Sequence, residues 1–132
     1  MDYNHVNLTE VDDQAPNLGL DPEQFNLRFG RVALGCEDCG VSYLRFAPGA
    51  KAHGHRHKRQ EEVYVLVSGR AQAKLDEEIV ELEPWTAVRV PPETTRAFRA
   101  AGDEDAVFVA VGAPFTGPGD GESDLDFWPI DR

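Results

Sequence analysis

Three histidines occupy alternate positions in Ala52-His-Gly-His-Arg-His-Lys58, and Glu62 follows the last of them by five residues. Side chains on a strand alternate between faces, so His53, His55 and His57 share one side. Glu62 opens the next apolar run and can be aimed into the same space. Two imidazoles and one carboxylate form a divalent-metal site, and as a facial set they suit non-haem Fe(II) or Mn(II) with positions left open for substrate. Two of these three histidines with Glu62 are therefore the expected ligands, and the third, His53 included, has the parity to add to them. In an enzyme such an ion acts as Lewis acid or oxygen activator. No residue is assigned here as acid, base or nucleophile.

Other residues carry weaker signals. Tyr64 lies two positions after Glu62 on the same face, where it either lines the pocket and orients a ligand or packs in the core. Arg56, Lys58 and Arg59 alternate away from the histidines and read as a solvated rim. Cys36-Glu-Asp-Cys39 is a lone CxxC at a turn; without a second pair or a βαβ context it makes a poor zinc or redox motif. Trp85 and Trp128 read as core or interface residues.

The elements that must position these groups are short. Apolar or alternating runs cover Phe25–Ala33, Val41–Phe46, Ala52–Lys58, Glu62–Val67, Ala71–Leu75, Ile79–Leu82, Thr86–Val90, Arg96–Ala100 and Asp105–Val111. Turn signals such as Pro48-Gly49, Ser68-Gly69 and Pro91-Pro92 separate them. Many short strands at this spacing predict an all-β sandwich or barrel. Asp21-Pro22-Glu23 is placed to start one helical turn. Residues 113–123 read as a loop, and Leu125–Ile130 as a closing strand. Glu62–Val67 is apolar on both faces, which predicts cover on both faces. A second copy of the chain is the expected cover, giving a homodimer.

The segment from Pro48 to Gly69 resembles the first motif of the cupin superfamily, G-x5-HxH-x3,4-E-x6-G. Gly49, His55, His57, Glu62 and Gly69 stand at its fixed positions, and Glu62 rather than Glu61 leaves six residues before Gly69. In the second motif, G-x5-P-x-G-x2-H-x3-N, the matching register holds Trp85, Pro91, Glu93, Arg96 and Ala100, of which Pro91 alone is retained. The resemblance covers roughly residues 40–112. It implies a single cupin barrel of the double-stranded β-helix, jelly-roll type, with His55, His57 and Glu62 as metal ligands and His53 as a possible additional one, and dioxygenase, isomerase, decarboxylase or ligand-sensing activity. The family's fourth metal ligand is replaced by Arg96, whose guanidinium stays protonated and cannot coordinate a cation. Two consequences stand open. Arg96 pairs with Glu62 in a metal-free binding protein with no cofactor, or it lies beyond an iron, manganese, nickel or zinc ion and grips a substrate carboxylate.

Composition sets the outer limits. The chain has 132 residues with a formal net charge of −11, concentrated in residues 1–23, with six acids and no Lys or Arg, and in residues 103–132, with eight acids and one Arg. Expected organisation is an acidic extension over 1–23, a barrel over 24–112 and an acidic segment over 113–132. Such acidity disfavours a nucleic-acid partner. No run approaches 18 apolar residues and the amino terminus has no hydrophobic signal core, so neither membrane insertion nor export is expected, and the cytoplasm is the expected address. The expected partner is a small-molecule ligand, of anionic type if Arg96 faces it.

Overall fold

The computed structural model describes residues 2–117 and 120–128. Ten strands account for most of them: β1 (Phe25–Phe29), β2 (Gly40–Phe46), β3 (Gly54–His57), β4 (Glu61–Ser68), β5 (Ala71–Leu75), β6 (Glu78–Leu82), β7 (Ala87–Val90), β8 (Arg96–Ala100), β9 (Ala106–Ala113) and β10 (Gly121–Asp124). They form two five-stranded sheets in the orders β1-β2-β9-β4-β7 and β10-β3-β8-β5-β6. The strands within each sheet pair antiparallel. The all-β jelly-roll expectation is met.

Period-two alternation explains how the sheets face each other. In β9, Ala106, Phe108 and Ala110 turn inward and are buried, while Val107, Val109 and Val111 turn outward. Tyr64 and Leu66 do the same in β4. A run of aromatic contacts crosses the interior. Phe25 meets Phe46 edge-on at 5.8 Å, Phe46 meets Phe108 at 5.7 Å, Phe108 meets Phe98 at 5.0 Å, and Phe98 meets Tyr64 at 4.3 Å. The core thus leads directly to the hydroxyl of Tyr64. The β4–β5 turn requires glycine: Gly69 has φ +80°, and a Cβ there would lie 2.1 Å from the Asp105 carbonyl oxygen.

Several expected boundaries move. The run Phe25–Ala33 divides into β1 and a four-residue helix, α1 (Arg31–Leu34). Asp21-Pro22-Glu23 forms a turn rather than a helix, with the Asp21 carboxylate accepting from the Glu23 amide at 2.9 Å. The closing strand is Gly121–Asp124, which begins inside what reads as a loop; residues 125–128 are not strand, and 129–130 lie outside the described residues. Trp85 is not a core residue, being 75% exposed.

Described residues of both acidic segments bond to the barrel. Asp13 accepts from the amides of Ala15 and Leu27 at 3.0 and 2.9 Å and from Asn26 Nδ2 at 2.9 Å. At the other end Phe127 lies over Gly54, where any Cβ would come within 2.6 Å of it. The Phe127 carbonyl accepts from Lys74 Nζ at 2.7 Å, and Trp128 Nε1 donates to the Ala52 carbonyl at 2.8 Å.

Candidate metal centre

His55 and His57 project from β3, and Glu62 and Tyr64 from β4, into one end of the space between the sheets. The two histidines share a face because both lie within the strand. His53 precedes it. It lines the same cavity, but the clustered ligand atoms, all within 4.8 Å of one another, are those of His55, His57 and Glu62. The parity that aligned His53 with the other two does not extend past the start of β3 at Gly54, so the structure does not bring this additional ligand into the cluster.

Four groups converge on a single oxygen. Glu62 Oε1 lies 2.7 Å from the Tyr64 hydroxyl, 2.9 Å from an Arg96 terminal nitrogen, 3.2 Å from His57 Nε2 and 3.6 Å from His55 Nε2. Burial works to raise the Glu62 carboxyl, but hydrogen bonds from His55, His57 and Tyr64 and the charge of Arg96 outweigh it, holding the group well below the usual carboxylate range. Tyr64 moves the other way: burial and the adjacent carboxylate raise its pKa, so its hydroxyl remains a donor to Glu62.

Arg96 stands behind Glu62 rather than in the cavity. Its side chain is 0% exposed, and besides Glu62 it donates to the carbonyls of Pro92 at 3.1 Å and Thr94 at 2.7 Å. A guanidinium so enclosed neutralises Glu62; it is not presented to a ligand.

One residue of the site carries no signal in the sequence. Asp120 precedes β10, and its carboxylate lies 3.0 Å from His57 Nδ1 while accepting from the amides of Lys58 and Arg59 at 3.2 and 3.1 Å. Its burial favours the neutral form, but hydrogen bonds from Thr116, the backbone amides of Arg59 and Gln60, and His57 prevail and lower its pKa. As an ionised acceptor, Asp120 draws a proton to Nδ1 of His57. Nε2 is then the atom turned toward Glu62.

This donor set fits a divalent cation. Ligands about 2.1 Å from an ion and at right angles to one another lie about 3 Å apart, close to the 3.2 and 3.6 Å from the two Nε2 atoms to Oε1. With Nδ1 of His57 bonded to Asp120, its Nε2 faces the Glu62 carboxylate oxygen, and a proton or a cation between the two atoms makes that contact favourable. Cys36 and Cys39, by contrast, are free thiols away from this cluster, in the loop between α1 and β2. The centre opens on a cavity of about 530 Å³ whose deeper walls include Leu27, Leu44, Phe46 and Phe98.

Comparison with known proteins agrees with this architecture. Residues 42–112 match the family model described as Cupin domain. A cupin protein from Bacteroides fragilis superposes with a TM-score of 0.70 at 20% identity, covering 100% of this chain and 98% of that one. A sugar phosphate isomerase from a cupin superfamily of Silicibacter pomeroyi gives 0.71 at 20% identity over 85% of this chain and 76% of its own. Oxalate decarboxylase of Bacillus subtilis, a protein with Mn(II) centres, gives 0.73 at 16% identity over 88% of this chain and 30% of its own. No curated protein matches the chain.

Proposed function

Because the chain belongs to the Cupin domain family, we propose that it binds a small molecule in the barrel cavity beside a divalent metal held by His55, His57 and Glu62. The observation that carries this reading is the convergence of two imidazole Nε2 atoms on Glu62 Oε1, with the far nitrogen of His57 already engaged by Asp120. Iron, manganese, nickel and zinc all accept such nitrogen and oxygen donors. When bound, the ion supplies Lewis-acid or oxygen-activating chemistry of the dioxygenase or isomerase kind. The chain's own residues do the rest. Tyr64 and Arg96 keep Glu62 ionised, Asp120 orients His57, and the apolar walls exclude water from the ligand's body.

A second reading rests on the Arg96–Glu62 pair at 2.9 Å: Arg96 serves as the compensating cation in a metal-free, non-catalytic binding protein. Elemental mass spectrometry of tag-free wild type and Arg96→His separates the two. Roughly one ion per chain in the wild type is the expected result. An empty wild type beside a loaded Arg96→His variant would establish the second reading, and two empty proteins would remove the metal altogether.

The outer face of the first sheet supports a homodimer. Val63 of β4 is in register with Val111 of β9, which pairs with Val41 of β2; Val65, Val109 and Tyr43 form the next row. These rows make a continuous apolar band on an antiparallel sheet, whose outer side is ordinarily polar when it faces water. A second copy meeting the band by a two-fold axis covers it with its own equivalent. Val65→Glu is then expected to give a monomer by light scattering, with wild type a dimer; a monomeric wild type rules the dimer out. Two free thiols suit the reducing cytoplasm as the protein's address.

A further inference from the structure

With Arg96 enclosed, any cation that meets an anionic ligand must come from elsewhere. Arg31, the first residue of α1, is the one Lys or Arg among the described residues lining the cavity. Its guanidinium carbon lies over the Phe115 ring, 3.4 Å from the ring centroid, a cation–π contact. One terminal nitrogen reaches the Glu37 carbonyl at 3.4 Å, while Nε is buried without a hydrogen-bond partner. The fork is held in place and left incompletely matched.

Strand register locates it. Glu62 pairs with Gly112 on β9, and Gly112 pairs with Gly40 on β2. Two strand spacings, about 10 Å, therefore separate Glu62 from Gly40. Arg31 lies over Gly40, where a Cβ would stand 3.7 Å from its own Cβ. Between the two, the Gln60 side chain folds over Gly112, and a Cβ on that glycine would come within 2.9 Å of it. Metal ligands, carboxamide and guanidinium thus follow one line across this end of the barrel, while the walls below are apolar.

We propose that the cavity takes an amphiphilic carboxylic acid, its carboxylate held by the Arg31 guanidinium and its alkyl or aryl body lying along Leu27, Leu44 and Phe98. A single planar fork matches a monoanionic carboxylate in bidentate fashion, whereas a phosphate dianion calls for more cations than this cavity lining provides. The assignment rests on the reading of the cavity as a small-molecule site, and it names the class of molecule.

Isothermal titration of the full chain with sodium octanoate and with octanamide tests it. Wild type is expected to bind octanoate about tenfold or more tightly than the amide, as a charge-assisted bidentate contact implies. Arg31→Gln should reduce octanoate to the level of octanamide and leave octanamide within twofold, which also reports an intact cavity. If that variant does not fold, Arg31→Lys, which keeps the charge and loses the fork, must narrow the gap. Undiminished octanoate binding by Arg31→Gln overturns the proposal. Equal wild-type affinity for both probes overturns it too, and leaves the small-molecule reading standing. Binding of neither probe ends both.

Discussion

Asp120 determines which nitrogen of His57 faces the cluster, and it does so across 63 residues of sequence. The ligands themselves are legible because they occupy consecutive strands, where parity and a five-residue gap bring them together. A residue that orients a ligand from a distant loop has no such spacing, and in an acidic segment its carboxylate resembles its solvated neighbours. Removing such a partner costs metal affinity about 10- to 100-fold. Asp120→Ala is therefore expected to weaken binding of Zn(II) or Mn(II) by that factor in a titration, with Asp124→Ala as an unaffected control; equal affinities would show that His57 needs no orienting partner. Trp85 illustrates a different effect. It occupies the position of the second motif's first glycine and has a left-handed backbone, with φ +72°. That conformation costs a side-chain-bearing residue about 1–2 kcal/mol, partly offset in glycine by its larger unfolded-state entropy. Trp85→Gly should thus gain about 0.5–1 kcal/mol in a denaturant titration, and a loss would show that the exposed ring is held by contacts the single chain lacks.

At the scale of elements, nine of the ten described strands lie in runs legible in the sequence, and β10 does not. β5 shows the pattern most simply, with Ala71, Ala73 and Leu75 at every second position as burial of one face requires, while β4 and β9 are apolar on both faces. β10 reads Gly-Glu-Ser-Asp and is exposed throughout, because an edge strand packed on nothing outside needs hydrogen bonds and no apolar pattern. Its pairing with β3 is visible only in three dimensions, and Asp120 travels with it. α1 was hidden for the opposite reason: its four residues, Arg-Val-Ala-Leu, continue the apolar character of β1. Arg31 was missed with it. Within the legible part, Phe108 is the keystone, fully buried and touching both Phe46 and Phe98. Phe108→Ala should cost about 3–5 kcal/mol of unfolding free energy. Since Phe98 in turn meets Tyr64, the same variant should also lower metal affinity. Loss of stability with unchanged metal binding would mean that β4 holds Tyr64 and Glu62 without help from the core.

Across the whole molecule, the charge of −11 is less a reservoir of repulsion than the count suggests, because several carboxylates have specific partners. Asp13, Glu62, Asp120 and Glu122 all titrate below their ordinary values in the folded chain. For Asp13, burial opposes the shift, and the amides of Leu27 and Ala15, the Asn26 side chain and the charge of Arg28 overcome it. A carboxyl whose folded pKa is depressed binds fewer protons than it does unfolded, so stability rises with pH through that window. Its contribution is complete above the unfolded value, 3.8 for Asp13 and 4.5 for Glu62, and is lost as pH falls toward the folded one. Repulsion among the remaining exposed acids eases over the same range, but at 0.15 M salt it is screened beyond about 8 Å, and the paired groups prevail. Melting temperature should therefore hold steady from pH 7 to about pH 6 and fall progressively below about pH 5. Asp13→Asn isolates one group remote from the metal ligands. The variant should melt below wild type at pH 7, and the gap should close toward pH 3, where a protonated Asp13 offers its neighbours little more than an asparagine does. A gap that stays constant across that range would mean that hydrogen-bond geometry, and not ionisation of Asp13, ties the amino-terminal segment to β1.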